Sequence, residues 1–236
     1  MTLSCSAALS ACGGGGGANS PADAQASATP ITKPTPVVID AEGDSTMYGN
    51  EYPNGATTPV RSASPAPEVA AQTLQSTYQL AATVENNGSP GTTVAQNLAG
   101  HVLAPLATRL ATDSSRIVIE NFAINDCTVE TVQQFHDDLT QWVNVVRSMG
   151  KIPVLEEPNP VTRAGFDALP SFVAMVNQVA TEQDVTVIQQ YAYIQSLPEW
   201  QAMLTDGVHP NDALYAIKGH REAQAIAPLL PTLQSS

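Results

Sequence analysis

Short apolar runs alternate with helix-like patterns along most of the chain, and this alternation limits the possible folds more than any other feature. Five apolar runs predict short buried strands: residues 37–40, 82–85, 116–120, 152–155 and 185–189. Helical patterns lie between and after them: residues 68–80, 93–111, 128–149, 168–182 and about 212–229. Strands separated by helices favour a parallel sheet covered on both faces. We therefore predict an α/β fold with a five-stranded parallel sheet between two helical layers.

The pattern over residues 128–149 is typical of a helix that packs on a sheet. Its apolar residues recur at three- and four-residue intervals, which places them on one helical face. They are Val129, Val132, Phe135, Leu139, Trp142, Val146 and Met149. We assign the aromatic side chains among them to the core and not to a binding site.

The size and composition of the chain favour one domain preceded by a tether. The 236 residues are 43% hydrophobic, enough for one full core. Residues 1–36 are rich in Gly, Ala, Pro and Ser, and such segments bury too little apolar surface to offset the entropy of ordering. We expect residues 1–36 to hold an export signal remnant and a disordered tether, and residues 37–236 to form the domain.

The charge balance excludes one class of partner. Nine Lys and Arg stand against 22 Asp and Glu, a net charge of -13. A nucleic acid would meet repulsion and would lack the basic residues that supply its affinity. The same sign disfavours docking on anionic lipid, although it leaves a covalent lipid anchor open.

The cysteines do not suggest a metal site or a disulfide framework. Cys5, Cys12 and Cys127 form no C-x-x-C pair, and no His cluster has ligand spacing. We expect Cys127 to be a small, partly buried residue and not a nucleophile, because its surroundings imply no separate base.

A Gly-Asp-Ser sequence, residues 43–45, follows the first predicted strand directly. By itself this tripeptide is more often an ordinary turn. In open parallel sheets, however, ligands bind beyond the carboxyl ends of the strands. The hydroxyl of Ser45 is therefore placed for chemistry.

A serine hydroxyl needs an adjacent base, and the base needs a group that fixes its tautomer. Asp206 and His209 lie three residues apart, just before the last predicted helix, and can meet within one loop. The alternative is that both are solvated residues at a helix start. The fold has only to bring this loop to Ser45 for the three to act together.

Two further clusters follow predicted strands. Asn125 and Asp126 come after the third strand, and the turn 86–91, Asn-Asn-Gly-Ser-Pro-Gly, comes after the second. An Asn amide and Gly N–H groups are suitable donors to the negative oxygen that develops in acyl transfer. Each cluster taken alone is more often a structural turn.

Together the four clusters resemble the sequence blocks of the SGNH hydrolases, also called GDSL esterases and lipases, over residues 37–230. The resemblance implies a flavodoxin-like three-layer αβα sandwich and a serine esterase that requires neither a metal nor an organic cofactor. It implies Ser45 as the nucleophile, Asp206 as the residue that orients the base, and His209 as the base.

The resemblance also implies an oxyanion hole. Its donors would be the N–H of Ser45, the N–H of Gly91 and the side chain of Asn125, with Gly88 as the alternative to Gly91. The sequence departs from the family pattern at Ala123, where the third block usually has Gly. We expect this departure to change the shape of the backbone near the oxyanion site.

The loop after the fourth predicted strand faces the same crevice. Pro158 and Pro160 force a loop there, and Glu157 and Asn159 lie within it. We treat Glu157 and Asn159 as candidates for substrate contact and not for catalysis.

The substrate expected from the sequence is a short-chain carboxylic ester, including acetyl esters of polysaccharides. No long apolar insertion suggests a lid, and aromatic residues make up only 5% of the chain, which gives no visible sugar-stacking platform. Two alternatives remain open: an O-acyltransferase that acts on a glycan, and an inactive binding lipoprotein of the same fold. The oligomeric state is not readable from the sequence.

The leader contains Leu-Ser-Ala-Cys at residues 9–12, which resembles the lipobox of bacterial lipoproteins. That resemblance implies lipidation of Cys12 and membrane attachment in the periplasm or at the outer membrane of a Gram-negative bacterium. No Lys or Arg precedes the short apolar run, so either the true start lies upstream or the resemblance is chance and the leader is merely disordered. Secretion is the alternative localisation.

Overall fold

The computed structural model of the protein describes residues 35–234. The predicted lipidation site Cys12 and nearly all of the predicted tether lie outside these residues. None of the helices within 35–234 is both long enough and apolar enough to cross a membrane.

The strands form one parallel sheet and one small antiparallel hairpin. In chain order they are β1 Val37–Gly43, β2 Asn50–Glu51, β3 Val60–Arg61, β4 Ala82–Asn86, β5 Ile117–Asn121, β6 Ile152–Glu156 and β7 Thr186–Ile188. The large sheet has five parallel strands in the order β4-β1-β5-β6-β7, and β2 pairs with β3. This confirms the predicted α/β fold with a five-stranded parallel sheet.

The helices of the described residues are α1 Ser45–Tyr48, α2 Ala66–Ser76, α3 Val94–Ala99, α4 Leu106–Leu110, α5 Asp126–Val129, α6 Val132–Ser148, α7 Leu169–Glu182, α8 Tyr191–Gln195, α9 Asp212–Ile226 and α10 Leu230–Gln234. Short 3-10 turns lie at Pro53–Gly55, Trp200–Met203 and Ala227–Leu229.

The sheet separates two apolar cores. On one face α6 and α7 bury Phe135, Trp142 and Phe172 against Val118 and Leu155 of the sheet. On the other face α2 and α9 pack on the opposite side of the same strands. Because both faces are covered, the central strands carry apolar side chains on both sides, which is why they were recognisable as apolar runs.

The predicted helix over 128–149 is interrupted near its start: residues 128–129 belong to α5, and α6 ends at Ser148, one residue before the predicted end. Helix α6 begins at Val132 because Thr131 and Gln134 form a capping box, and the backbone at Glu130 is extended. Val129 is therefore 71% exposed, and Met149 beyond the last turn is 37% exposed. The five apolar residues between them follow the predicted stripe, and four of the five are fully buried.

The predicted helix over 93–111 is two helices. Helix α3 ends at Gly100, whose φ of 88° is unfavourable for a residue with a side chain. A Cβ there would lie 2.8 Å from Pro105 Cδ, so the chain can turn at this point only with glycine. Helix α4 then starts directly after Pro105.

Strand β1 continues to Gly43, beyond its predicted end at Asp40. Two carboxylates of this strand are buried: Asp40, the predicted last residue, and Glu42 in the extension. Arg109 pairs with Glu42, and Asn87 Nδ2 donates to Asp40 Oδ1 at 2.8 Å. Burial, with the nearby charge of Glu42, raises the pKa of Asp40 to about 8.

Candidate active site

Ser45 is the first residue of α1 and lies directly beyond the carboxyl end of β1. Asp44 caps this short helix, because its Oδ1 accepts hydrogen bonds from Thr46 N at 2.7 Å and Thr46 Oγ1 at 2.8 Å. The helix ends after one turn at Gly49, which has a φ of 96°. The serine hydroxyl is thus held at the tip of a tight strand-to-helix turn.

The structure brings Ser45, His209 and Asp206 together. Ser45 Oγ lies 2.9 Å from His209 Nε2, although the two residues are 164 positions apart in the chain. His209 Nδ1 lies 3.0 Å from both carboxylate oxygens of Asp206. A carboxylate at Nδ1 favours the tautomer with its hydrogen on that nitrogen, which leaves Nε2 free to accept the serine proton.

The carboxylate of Asp206 is fixed within its own loop. Its Oδ1 accepts hydrogen bonds from Val208 N at 3.0 Å and His209 N at 2.8 Å. Partial burial opposes ionisation, but these hydrogen bonds and the His209 side chain hold the pKa of Asp206 below its usual value. Arg163 Nη1 adds an ion pair to Oδ2 at 3.2 Å.

The loop after β6 forms hydrogen bonds to the loop that carries Asp206 and His209. Asn159 Nδ2 donates to Val208 O at 2.9 Å, and Thr162 N donates to Gly207 O at 2.8 Å. Asn159 is fully buried, and Glu157, with 6% exposure, accepts hydrogen bonds from Asn177 Nδ2 and Tyr191 N. Both candidates for substrate contact in this loop are therefore buried, and Asn159 is bonded to the loop that carries His209.

Asn125 lies beside the loop that carries Ser45. Its Nδ2 donates to Asp44 Oδ2 at 3.3 Å and to Thr92 O at 3.2 Å. The amide is thus oriented by one carboxylate next to Ser45 and by the backbone that follows the 86–91 turn.

The two glycines of the 86–91 turn differ in what they can do. The N–H of Gly88 donates to Asn86 Oδ1 at 3.0 Å, and a Cβ at Gly88 would lie 2.3 Å from Tyr48 N. Gly91 has a φ of 79°, and within residues 35–234 its N–H makes no hydrogen bond. Gly88 is needed for close packing against α1, whereas the backbone N–H of Gly91 can donate a hydrogen bond to a ligand.

Ala123 adopts a backbone conformation that favours glycine. Its φ is 91°, and its side chain is completely buried. The N–H of Ala123 donates to Asp126 Oδ2 at 2.8 Å, and Asp126 Oδ1 accepts from Val94 N at 2.8 Å. Burial raises the pKa of Asp126 to about 7. The departure from glycine noted in the sequence thus gives a strained residue in the loop that carries Asn125.

The β2–β3 hairpin contributes an aromatic neighbour that the sequence did not reveal. The Tyr52 ring lies 5.0 Å from the imidazole of His209, and Tyr52 N donates to Thr205 Oγ1 at 3.0 Å. Tyr215 Oη donates to Asn50 O at 2.7 Å and so ties the hairpin to α9. Strands of two residues leave no periodicity to read, so only the contact itself identifies this element.

Cys127 is not available as a nucleophile. Its side chain is buried, and its thiol donates to Ile124 O at 3.2 Å. Burial, with the charges of Asp126 and Asp44, raises the pKa of Cys127 to about 11. Among residues 35–234, no group of three or more His, Cys, Asp or Glu side chains is arranged to hold a metal ion.

The sequence model of the GDSL-like lipase/acylhydrolase family matches residues 41–217, which is most of the chain. The chain belongs to this family. The GDSL enzymes, also called SGNH hydrolases, act on ester bonds, so the protein is an ester hydrolase with the α/β fold of the family. No curated protein shows significant sequence similarity to it.

Solved structures of other esterases share the fold. A lipase/acylhydrolase from Enterococcus faecalis is 21% identical with a TM-score of 0.64, and the match covers 82% of this chain and 97% of that one. A carbohydrate acetylesterase from Sinorhizobium meliloti is 14% identical with a TM-score of 0.68, covering 82% and 99%. An acetylxylan esterase from Geobacillus stearothermophilus is 18% identical with a TM-score of 0.61, covering 80% and 94%.

Proposed function

We propose that this GDSL hydrolase is a serine esterase that cleaves short-chain carboxylic esters through an acyl-enzyme on Ser45. The observation that carries the proposal is the continuous chain from Ser45 Oγ to His209 Nε2, at 2.9 Å, and from His209 Nδ1 to Asp206, at 3.0 Å. A non-catalytic scaffold has no physical need to align these three side chains.

In the first half of the reaction, His209 Nε2 takes the Ser45 proton as Oγ bonds to the ester carbonyl carbon. The imidazolium is stabilised by the carboxylate of Asp206. When the tetrahedral intermediate collapses, the bond to the alcohol oxygen breaks, and His209 gives its proton to the leaving alcohol. Ser45 then carries the acyl group.

In the second half, water attacks the acyl carbon while His209 accepts one of its protons. Collapse of the new intermediate releases the carboxylic acid and returns the proton to Ser45. In both halves the carbonyl oxygen becomes negative, and we assign its donors as the N–H groups of Ser45 and Gly91 and the side chain of Asn125. In support, no hydrogen bond within the described residues uses either N–H group.

Short acyl groups, including acetyl groups on polysaccharides, are the proposed substrates. Two proteins of similar fold are named as a carbohydrate acetylesterase and an acetylxylan esterase, which supports an acetyl ester as the first substrate to test. The chain-length preference follows from rates on p-nitrophenyl acetate, butyrate and octanoate. The proposal predicts a falling kcat/KM along that series, and a maximum at octanoate would contradict it.

The acyl-enzyme itself can be captured. Protein mixed with p-nitrophenyl acetate and quenched in acid should gain the mass of one acetyl group on the peptide that contains Ser45, and Ser45→Ala should gain none. An acetyl group on another residue, or turnover without any covalent species, would contradict the assignment. Transfer of acetyl to an added oligosaccharide instead of water would favour the O-acyltransferase. Ligand binding without turnover would favour an inactive binding lipoprotein.

We also propose that the protein is exported and anchored through a lipid on Cys12, on the basis of the lipobox-like Leu-Ser-Ala-Cys at residues 9–12. In a Gram-negative host, radiolabelled palmitate should be incorporated into the full chain and not into Cys12→Ser. Equal labelling of both, or of neither, would overturn the anchor and leave secretion as the alternative.

A further inference from the structure

Asp44 lies between the nucleophile and the amide of Asn125, and its two carboxylate oxygens serve different partners. The Asp44 side chain is completely buried. Oδ1 accepts from Thr46 N at 2.7 Å and from Thr46 Oγ1 at 2.8 Å, which holds the first turn of α1. Oδ2 accepts from Asn125 Nδ2 at 3.3 Å. One carboxylate therefore touches both the helix that begins with Ser45 and the side chain on the neighbouring loop.

We propose that Asp44 is a positioning residue that sets the amide of Asn125 relative to Ser45 and so aligns two oxyanion donors with each other. This inference rests on the proposed function, because it presumes that Asn125 acts on the carbonyl oxygen. Asp44 itself does not touch the substrate in this account.

The hydrogen-bond inventory of Asn125 supports this role. Its NH2 group has two hydrogens, and the structure places them on Asp44 Oδ2 and Thr92 O, the latter at 3.2 Å. A bond to a carboxylate is stronger than a bond to a neutral backbone carbonyl. When the negative carbonyl oxygen forms, Asn125 therefore breaks its hydrogen bond to Thr92 O and donates to that oxygen instead. The hydrogen bond to Asp44 persists and keeps the amide in place.

Burial makes this arrangement rigid. A buried carboxylate is tolerated only when donors surround it, so the cost of losing any donor holds Asp44 in one rotamer. The backbone N–H of Asp44 donates to Asn121 O at 3.4 Å, and Asn121 Nδ2 donates to Glu157 O at 3.1 Å. Asp44 is thus anchored to the ends of β5 and β6 as well as to α1. Because Asn125 donates to Asp44, its amide is held in a fixed position too.

Asp44→Asn isolates the contact. Asn is as good a helix cap as Asp, so its side-chain oxygen can keep the bonds to Thr46. Its NH2 group then faces the NH2 group of Asn125, and two donors cannot bond to each other. The variant should fold like the wild type and lose only the alignment of Asn125 and the charge.

The test is a double-mutant cycle in which kcat and KM on p-nitrophenyl acetate are measured for wild type, Asp44→Asn, Asn125→Ala and the double variant. If Asp44 acts through Asn125, Asp44→Asn lowers kcat on the order of tenfold in the wild type, with little change in KM. In the Asn125→Ala background it lowers kcat by less than about threefold. An equal loss in both backgrounds would overturn the proposal, because Asp44 would then act through its charge on His209 or through the fold alone.

Two further variants keep the result interpretable. Asp40→Asn removes another buried carboxylate from the same chain segment without touching Asn125, so it should leave kcat unchanged. Asp44→Ser keeps a capping oxygen but has no second oxygen for Asn125. It should therefore give the same loss of kcat as Asp44→Asn, and it replaces Asp44→Asn in the cycle if Asp44→Asn folds poorly. If Ser45→Ala keeps full activity, the proposed function fails. If Ser45→Ala is inactive but the effects of Asp44→Asn and Asn125→Ala on kcat are additive, the role of Asp44 is wrong and the proposed function stands.

Discussion

Both carboxylate oxygens of Asp206 lie 3.0 Å from Nδ1 of His209, in a loop where the two residues are only three positions apart. The loop therefore carries the proposed base together with its proposed orienting group, and the fold has to bring only one segment to Ser45. Rigidity of that loop comes from backbone bonds to Asp206 and from the buried Asn159 behind it.

Asp206→Asn should lower kcat on the order of 10³–10⁴-fold. The amide oxygen can still accept from Val208 N and His209 N, so the loop keeps its shape. However, the amide cannot stabilise the imidazolium, and its NH2 group favours the wrong tautomer of His209. The measurement is kcat on p-nitrophenyl acetate, with circular dichroism to verify folding. A loss below about tenfold would show that Asp206 does not orient the base.

Arg163→Ala should change kcat/KM by less than about threefold. The Arg163 side chain is 49% exposed, and exposed ion pairs contribute roughly 0–1 kcal/mol. Asp206 is already held by two backbone N–H groups. A drop beyond about tenfold would mean that the loop after β6 orders Asp206 through this ion pair.

Ala123→Gly should stabilise the protein by up to about 1 kcal/mol, because glycine removes the strain of a positive φ at a modest entropic cost. A domain of this size would then gain about 2–4 °C in Tm. The matched control is Ala70→Gly, the same change at a buried position in α2, which should destabilise by about 1 kcal/mol. A loss of stability in both variants would show that Ala123 is not strained.

Asp40→Asn should make the protein more resistant to alkaline unfolding. The pKa of Asp40 is about 8 in the folded protein, against an ordinary value of 3.8. The folded state therefore holds more protons than the unfolded state between about pH 4 and pH 8, and stability falls as pH rises through that range. The variant should gain little near pH 4 and on the order of a few kcal/mol near pH 9. Urea unfolding at both pH values measures the free energy of unfolding of the variant and the wild type. An equal change at both pH values would contradict the raised pKa of Asp40.

The positions of the main strands were predictable because the sheet is covered on both faces. Residues such as Ile117 and Ile119 face one core while Val118 faces the other, so each strand is a run of apolar residues. The candidate site was predictable for a related reason. Ser45, Gly91 and Asn125 follow the carboxyl ends of those strands, and Asp206 and His209 are close to each other in the loop before α9.

Other features depend on contacts between distant residues. Asp40 and Glu42 lie buried in β1 beside the distant partners Asn87 and Arg109, and no local sequence pattern indicates such partners. The hairpin that carries Tyr52 is too short for periodicity, and the break between α3 and α4 comes from contact between Gly100 and Pro105. Glu157 and Asn159 lie in the expected loop but point inward, which depends on partners in α7 and in the loop of His209.

The central claim is that Ser45 is the nucleophile of an ester hydrolase, and it is tested most directly by the rate of p-nitrophenol release from p-nitrophenyl acetate. The rate is measured with purified wild type and Ser45→Ala at equal concentration and with matched circular dichroism. The account predicts a loss of several orders of magnitude in kcat on that single change, with only slow residual turnover. Equal rates in the two proteins would contradict it and would reduce the aligned Ser45, His209 and Asp206 to a feature of the scaffold.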